Sequence, residues 1–137
     1  MKILLSNDDG VHARGLKALY QELKKLGHVS VVAPLEEKST TGHSLTLHKP
    51  LRLINMEKDF YGVSGSPADC VYVGLREVLK SKPDLVVSGI NRGANLGQDV
   101  YYSGTVSAAR EACILGIPSF AVSLAIDFSN PPQEDKI

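Results

Sequence analysis

Apolar and polar positions fall in blocks along this chain, and the blocks alternate between two periods. Residues 2–6 are nearly all apolar, the pattern of a central strand covered on both sheet faces. Leu16, Leu19, Tyr20, Leu23 and Leu26 then recur at helical spacing, with Gly27 as a stop signal. Residues 29–33 are a second apolar run, closed by Pro34. A strand, a helix and a strand joined by so short a return predict a parallel, right-handed unit.

Residues 35–42 turn polar. Residues 44–48 alternate polar and apolar, as residues 51–55 do less cleanly, so a half-exposed two-stranded excursion is expected there. Residues 61–64 read as a short strand returning to the main sheet. Ser66-Pro67-Ala68-Asp69 is a helix start, with Ser at the cap, Pro at the first position and an acid two residues on. Ala68, Val71, Tyr72, Leu75, Val78 and Leu79 form the expected buried stripe. Residues 85–90 are another wholly apolar strand, followed by a glycine-rich loop from Gly89 to Gly97. A small-residue helix runs through Ala108, Ala109, Ala112 and Cys113 to Gly116, and residues 119–124 are expected to form a third buried strand. Strand and helix in alternation predict a three-layer α/β fold with a mostly parallel sheet and a small β excursion. Residues 1–125 form the expected core. Residues 126–137, with Pro131-Pro132 and mixed charges, read as a polar tail expected to fray.

The 137-residue length fits one domain with a sizeable core. A formal net charge of zero gives no basic sweep for a nucleic-acid polymer. The N-terminal apolar run is too short for a signal peptide or a membrane span. Cys70 and Cys113 lack metal-site spacing and read as buried reduced thiols, so a cytoplasmic location is expected.

The chemistry concentrates where the first strand ends, in Asn7-Asp8-Asp9-Gly10. Two unit charges 4 Å apart repel by about 4 kcal/mol at an effective dielectric near 20. Solvent, a basic partner or a divalent cation must offset that repulsion, and strand-end acids in open α/β sheets point into the ligand crevice. Asp8 and Asp9 are therefore candidate metal ligands. Read alone, the motif fits equally well a turn with Asp9 capping the next helix. Ser39, with Thr40 and Thr41, and Asn91 with Asn95 lie on other loops leaving the same sheet edge. Their oxygens are hard donors suited to magnesium, manganese or calcium. Ser103, Gly104 and Thr105 open a helix whose N–H groups, hydroxyls and dipole form a candidate phosphate cradle, although Ser103 or Thr105 as a simple N-cap is the commoner case. His12 and His43 are weaker candidates near the crevice, and His12 reads more readily as solvated. Arg92 reads equally as a phosphate contact or a solvent-facing cation. Tyr101 and Tyr102 read as covers for the helix start. Dinucleotide, Walker-type and serine-hydrolase motifs are absent.

Five ordered motifs carry a resemblance: Asn7-Asp8-Asp9-Gly10, Ser39 with Gly42-His43-Ser44, Gly65-Ser66-Pro67-Ala68-Asp69-Cys70, Ser88-Gly89-Ile90-Asn91-Arg92-Gly93, and Tyr102-Ser103-Gly104-Thr105-Val106. Together they resemble the SurE survival-protein family of nucleoside monophosphate phosphatases, from Met1 to about Leu124. The resemblance implies a Rossmann-like core and one divalent cation per subunit, magnesium or manganese, held by Asp8, Asp9, Ser39 and Asn91. It implies hydrolysis of nucleoside 5′- and 3′-monophosphates, with short polyphosphate as a further substrate. Asn95, Ser103, Gly104 and Thr105 would hold phosphate. Asp9, Asp8 and His12, in that order, are the candidates for taking a proton from water. Family members continue well past residue 137, into segments used in dimer and tetramer contacts, so a homodimer or homotetramer is expected of a full-length protein. An aspartyl-phosphate mechanism ranks lower, because the acids are adjacent and no lysine partner is evident. A nucleotide- or metal-binding regulatory module without turnover is the alternative outside enzymes.

Overall fold

The computed structural model describes residues 1–37 and 42–130. Its six-stranded sheet contains β1 (Lys2–Ser6), β2 (His28–Pro34), β3 (Leu53–Glu57), β4 (Phe60–Val63), β5 (Leu85–Arg92) and β6 (Ser119–Leu124), in the spatial order β3-β4-β2-β1-β5-β6. Every neighbouring pair is parallel except β3 with β4. The α/β architecture expected from the pattern is therefore present. Among the described residues four α-helices complete it: α1 (Arg14–Leu23), α2 (Pro67–Val73), α3 (Asp99–Tyr102) and α4 (Gly104–Ile114), with a π-helical turn at Gly74–Val78 extending α2.

The three layers follow from alternation along the central strand. Ile3 and Leu5 face the layer of Leu16 and Leu23 on α1, together with Val31, Phe60 and Val87. Leu4 faces the opposite layer, with Val71 of α2, Ala108 and Ala112 of α4, and Val32, Val63 and Val86. Each fully buried Leu, Ile or Val contributes about 1.5–3 kcal/mol. A strand apolar on both faces is thus fixed at the centre of the sheet. The chain fills the sheet outward on the β2 side, then crosses β1 to lay down β5. That reversal puts a topological switch between β1 and β5, where α/β sheets open a crevice beyond the strands' carboxyl ends.

Several expected features move. Residues 44–48 form no strand, because α2 claims their polar groups. The Thr46 backbone N–H and hydroxyl donate to the Asp69 carboxylate at 2.7 and 2.6 Å, and the Ser66 hydroxyl donates to the Ser44 carbonyl at 2.5 Å. The excursion's hairpin is instead β3 with β4, turning at Asp59 with φ 63°. β6 is not a buried strand but a sheet edge. It pairs with β5 alone among the described residues, and Phe120 is 46% exposed. Leu26 lies beyond the end of α1 and is exposed. Tyr72 turns outward, its ring 5.1 Å from the Arg76 guanidinium. Cys70 is buried, but Cys113 is exposed, one step past the stripe of Ala108, Ala109 and Ala112 that meets the sheet. Asp127 accepts hydrogen bonds from the Ser129 backbone and hydroxyl, so the tail begins as a turn. No helix among the described residues is long and apolar enough to cross a membrane.

Candidate functional site

The register of the two central strands assembles the site. Ser6 lies opposite Ser88, so the chain two and three residues past Ser6 leaves the sheet beside Ile90 and Asn91. Asp8 and Asp9 stand there, as the two central residues of a turn that Asn7 closes on Gly10 with two hydrogen bonds, at 2.9 and 3.2 Å. Gly10 has φ 108°, a conformation glycine adopts without strain. The turn expected of this motif is present, but Asp9 does not cap the next helix: the N-cap of α1 is Ala13, with no side-chain hydrogen bond.

Asp8 is almost fully buried, and its Oδ1 accepts the Thr105 hydroxyl at 2.7 Å. Asp9 is half-buried, and its Oδ2 accepts the Arg92 backbone N–H at 3.1 Å. Burial pushes the Asp8 carboxyl above its ordinary value, against the Thr105 hydrogen bond that lowers it. Burial also raises Asp9, reinforced by the charge of Asp8; the Arg92 amide and guanidinium offset this only in part. Two desolvated like charges side by side are the electrostatic condition that a bound cation relieves.

The neutral donors are oriented by the glycine-rich loop. Asn91 donates through Nδ2 to the Gly93 carbonyl at 2.8 Å and to Asn95 Oδ1 at 3.2 Å. Both amide protons are engaged, leaving Asn91 Oδ1 as the available acceptor. Asn95 Oδ1 also accepts the Ser123 hydroxyl at 2.6 Å, which leaves the Asn95 Nδ2 group as a donor. One asparagine thus presents an oxygen and the other an amide, suited respectively to a cation and an anion. Ser39 lies outside the described residues. Among the described residues no cluster of three His, Cys, Asp or Glu forms a metal site. The donor set is therefore two carboxylates plus neutral oxygens, which fits a hard divalent ion and not zinc.

Across the crevice stands the start of α4. The Ser103 hydroxyl accepts the Val106 N–H at 3.0 Å, so Ser103 is the N-cap, and its own proton is still available to a ligand. The N–H groups of Gly104 and Thr105 have no acceptor within the helix. A Cβ on Gly104 would lie 2.8 Å from Asp8 Cβ, so glycine is what lets the helix approach the acid. Thr105 is fully buried behind this surface.

Asp8, Asp9, Asn91, Asn95, Ser103 and Gly104 line one cavity of about 720 Å³, within the usual range for a small-molecule site. Arg14, Glu37, Asp99 and Phe128 also line it and carry no motif that would have singled them out. Arg92 and Tyr102 line it as well, both exposed, so Tyr102 flanks the opening more than it covers the helix start. His12 is solvent-exposed and not part of the lining. His43 pairs instead with Glu111 on α4, Nε2 to Oε2 at 2.8 Å.

Comparisons with known proteins identify the family and its fold. Residues 3–136 match the family model described as Survival protein SurE. A 5′-nucleotidase SurE from Geotalea uraniireducens is 59% identical over 124 residues, 90% of this chain and 50% of the relative. One from Geotalea daltonii is 60% identical with the same coverage. A crystal structure of the SurE protein from Aquifex aeolicus superimposes with a TM-score of 0.87 at 55% identity, over 90% of this chain and 50% of that one. The chain spans about half the length of these relatives. With a family model matched over nearly all its residues and the fold and motifs in agreement, the chain belongs to the Survival protein SurE family.

Proposed function

We propose that the chain carries the catalytic half of a divalent-metal-dependent phosphomonoesterase that hydrolyses nucleoside 5′-monophosphates to nucleoside and phosphate. The observation that carries this reading is the meeting of two desolvated carboxylates and the open N-terminus of α4 in one cavity. The relatives' printed activity, 5′-nucleotidase, supports it. Asp8, Asp9 and Asn91, with Ser39, are the residues that would hold magnesium or manganese. Bound there, the cation would offset charge on the phosphoryl group and lower the pKa of the attacking water.

The chain's own groups supply the rest. Asn95 Nδ2, the Ser103 hydroxyl and the first N–H groups of α4 hold phosphate oxygens, aided by the positive end of the helix dipole. Asp9 takes the water proton at Oδ1, the oxygen not bonded to the Arg92 amide. Phe128 and Tyr102 offer aromatic surface to the nucleoside end of the substrate. The proposal extends, on the family resemblance, to 3′-monophosphates and short polyphosphate, to a cytoplasmic location, and to a homodimer or homotetramer of the longer protein.

The test is phosphate release from adenosine or guanosine monophosphate with manganese or magnesium, using the protein at its full natural length. Asp9→Asn and Asp8→Asn are expected to lower turnover by about 10³-fold or more, the scale of losing an electrostatic or acid–base group. Turnover near wild type in both variants would reject the mechanism. Metal binding without any phosphate release would instead identify a regulatory module.

A further inference from the structure

The sequence offers Thr105 as a phosphate contact, one of three small residues opening a helix. Its hydroxyl does something else. The side chain is fully buried and contributes nothing to the cavity lining. It donates its single hydroxyl proton in a hydrogen bond to Asp8 Oδ1, with 2.7 Å between the oxygens. A hydroxyl that donates to a carboxylate has only lone pairs left, and lone pairs cannot hold a phosphate oxygen.

The same contact settles the rotation of the Asp8 carboxylate. With Oδ1 taken by the Thr105 hydroxyl, Oδ2 is the carboxylate oxygen left for a cation. Gly104 reinforces this from a second direction: a Cβ there would come within 3.2 Å of Oδ2 and 2.8 Å of Asp8 Cβ. The residue with a hydroxyl and the residue without a side chain act on one carboxylate, from adjacent positions of one helix. The link spans 97 positions of sequence and ties the α4 anion cradle to the acid at the end of β1.

We infer that Thr105 is a positioning residue, whose hydroxyl fixes the Asp8 carboxylate so that Oδ2 is presented to a divalent cation, and that this hydroxyl is not a phosphate ligand. This rests on the metal-dependent reading above and adds to it the group that aims one ligand. Hydrogen bonds of this kind orient metal ligands, and their loss lowers metal affinity about 10- to 100-fold.

The experiment titrates the protein at its full natural length with Mn²⁺ alone, following free Mn²⁺ by electron paramagnetic resonance. It compares wild type with Thr105→Val, which keeps the shape and drops the proton, and Thr105→Ser, which keeps the proton. Thr105→Ala takes the place of the valine variant should the second methyl against the carboxylate prevent folding. Loss of the hydroxyl is expected to raise the Mn²⁺ Kd about 10-fold or more, with Thr105→Ser within about threefold of wild type. In the same protein, the KM for adenosine monophosphate at saturating Mn²⁺ should stay within about twofold while kcat falls. Unchanged Mn²⁺ affinity in the valine or alanine variant would overturn the inference, as would a serine variant as weak as valine, or a raised KM with intact metal binding. Failure of the wild-type chain to bind Mn²⁺ would overturn the metal-dependent reading itself, and this inference with it.

Discussion

Two helices of this chain begin with the same signal, a serine at the N-cap, and their ends serve different purposes. At α2, Ser66 and Asp69 form a reciprocal capping box, and Pro67 fills the first helical position without needing an acceptor. The Asp69 carboxylate also takes both Thr46 donors. That helix end is capped by its own chain and holds Ser44 and Thr46. At α4, Ser103 caps one N–H, no acid stands in the first turn, and the first position is a glycine. The positive end of α4 faces the cavity, and the carboxylate beside it, Asp8, comes from the turn after β1. A first-turn acid neutralises a helix end locally, whereas its absence leaves the end available to an external anion.

The comparison breaks hardest at Gly104. Gly104→Ala would push a Cβ to 2.8 Å from Asp8 Cβ, and displacing that carboxylate should cut phosphate release by about 100-fold, the penalty for misplacing a reacting group by about 1 Å. Steady-state kinetics on a correctly folded variant checks this. At α2 the effect should fall on stability instead. Asp69→Ala strands the Ser66 and Thr46 donors and should cost about 2–3 kcal/mol in urea unfolding, with Mn²⁺ affinity unaltered by more than about threefold. Ser103→Ala should be milder in stability, about 1 kcal/mol for a lost N-cap, while raising the KM for nucleoside monophosphate. That split between stability at α2 and substrate binding at α4 is the sharpest form of the contrast.

The smallest effect concerns pH. Burial raises the Asp8 and Asp9 carboxyls above 3.8 in the folded chain, so the folded state binds protons more tightly than the unfolded state does. Stability of the metal-free chain therefore declines as pH rises from about that value through the raised folded values. Asp9→Asn removes part of the decline. Urea midpoints should show the variant gaining on wild type at pH 7 and not at pH 3.5, a gain that Mn²⁺ bound to wild type would offset.

Much of this was legible in the chain itself. The two apolar faces of residues 2–6 could only be satisfied at the centre of a covered sheet, and Asn7-Asp8-Asp9-Gly10 at that strand's end announced charge in a crevice. The Ser66 capping box was readable because both partners lie within four residues. Other features escaped because their partners are distant. Ser123 orients Asn95 from 28 positions away, and no local pattern marks it. Arg14 and Phe128 reach the cavity from opposite ends of the chain. Residues 44–48 alternate like a strand, yet their hydrogen bonds go to α2, which periodicity alone does not reveal.

Sequence by itself determined the alternation of elements, the central strand and the residue types available at the sheet's edge, because hydrophobic burial and capping act over a few neighbouring positions. Tertiary structure alone decided which oxygen of Asp8 is held by Thr105, which atoms of Asn91 and Asn95 are left for a ligand, and that β6 lies at an edge. Hydrogen-bond donors are few and directional, so the use of each proton depends on which atoms the fold brings within about 3 Å of it.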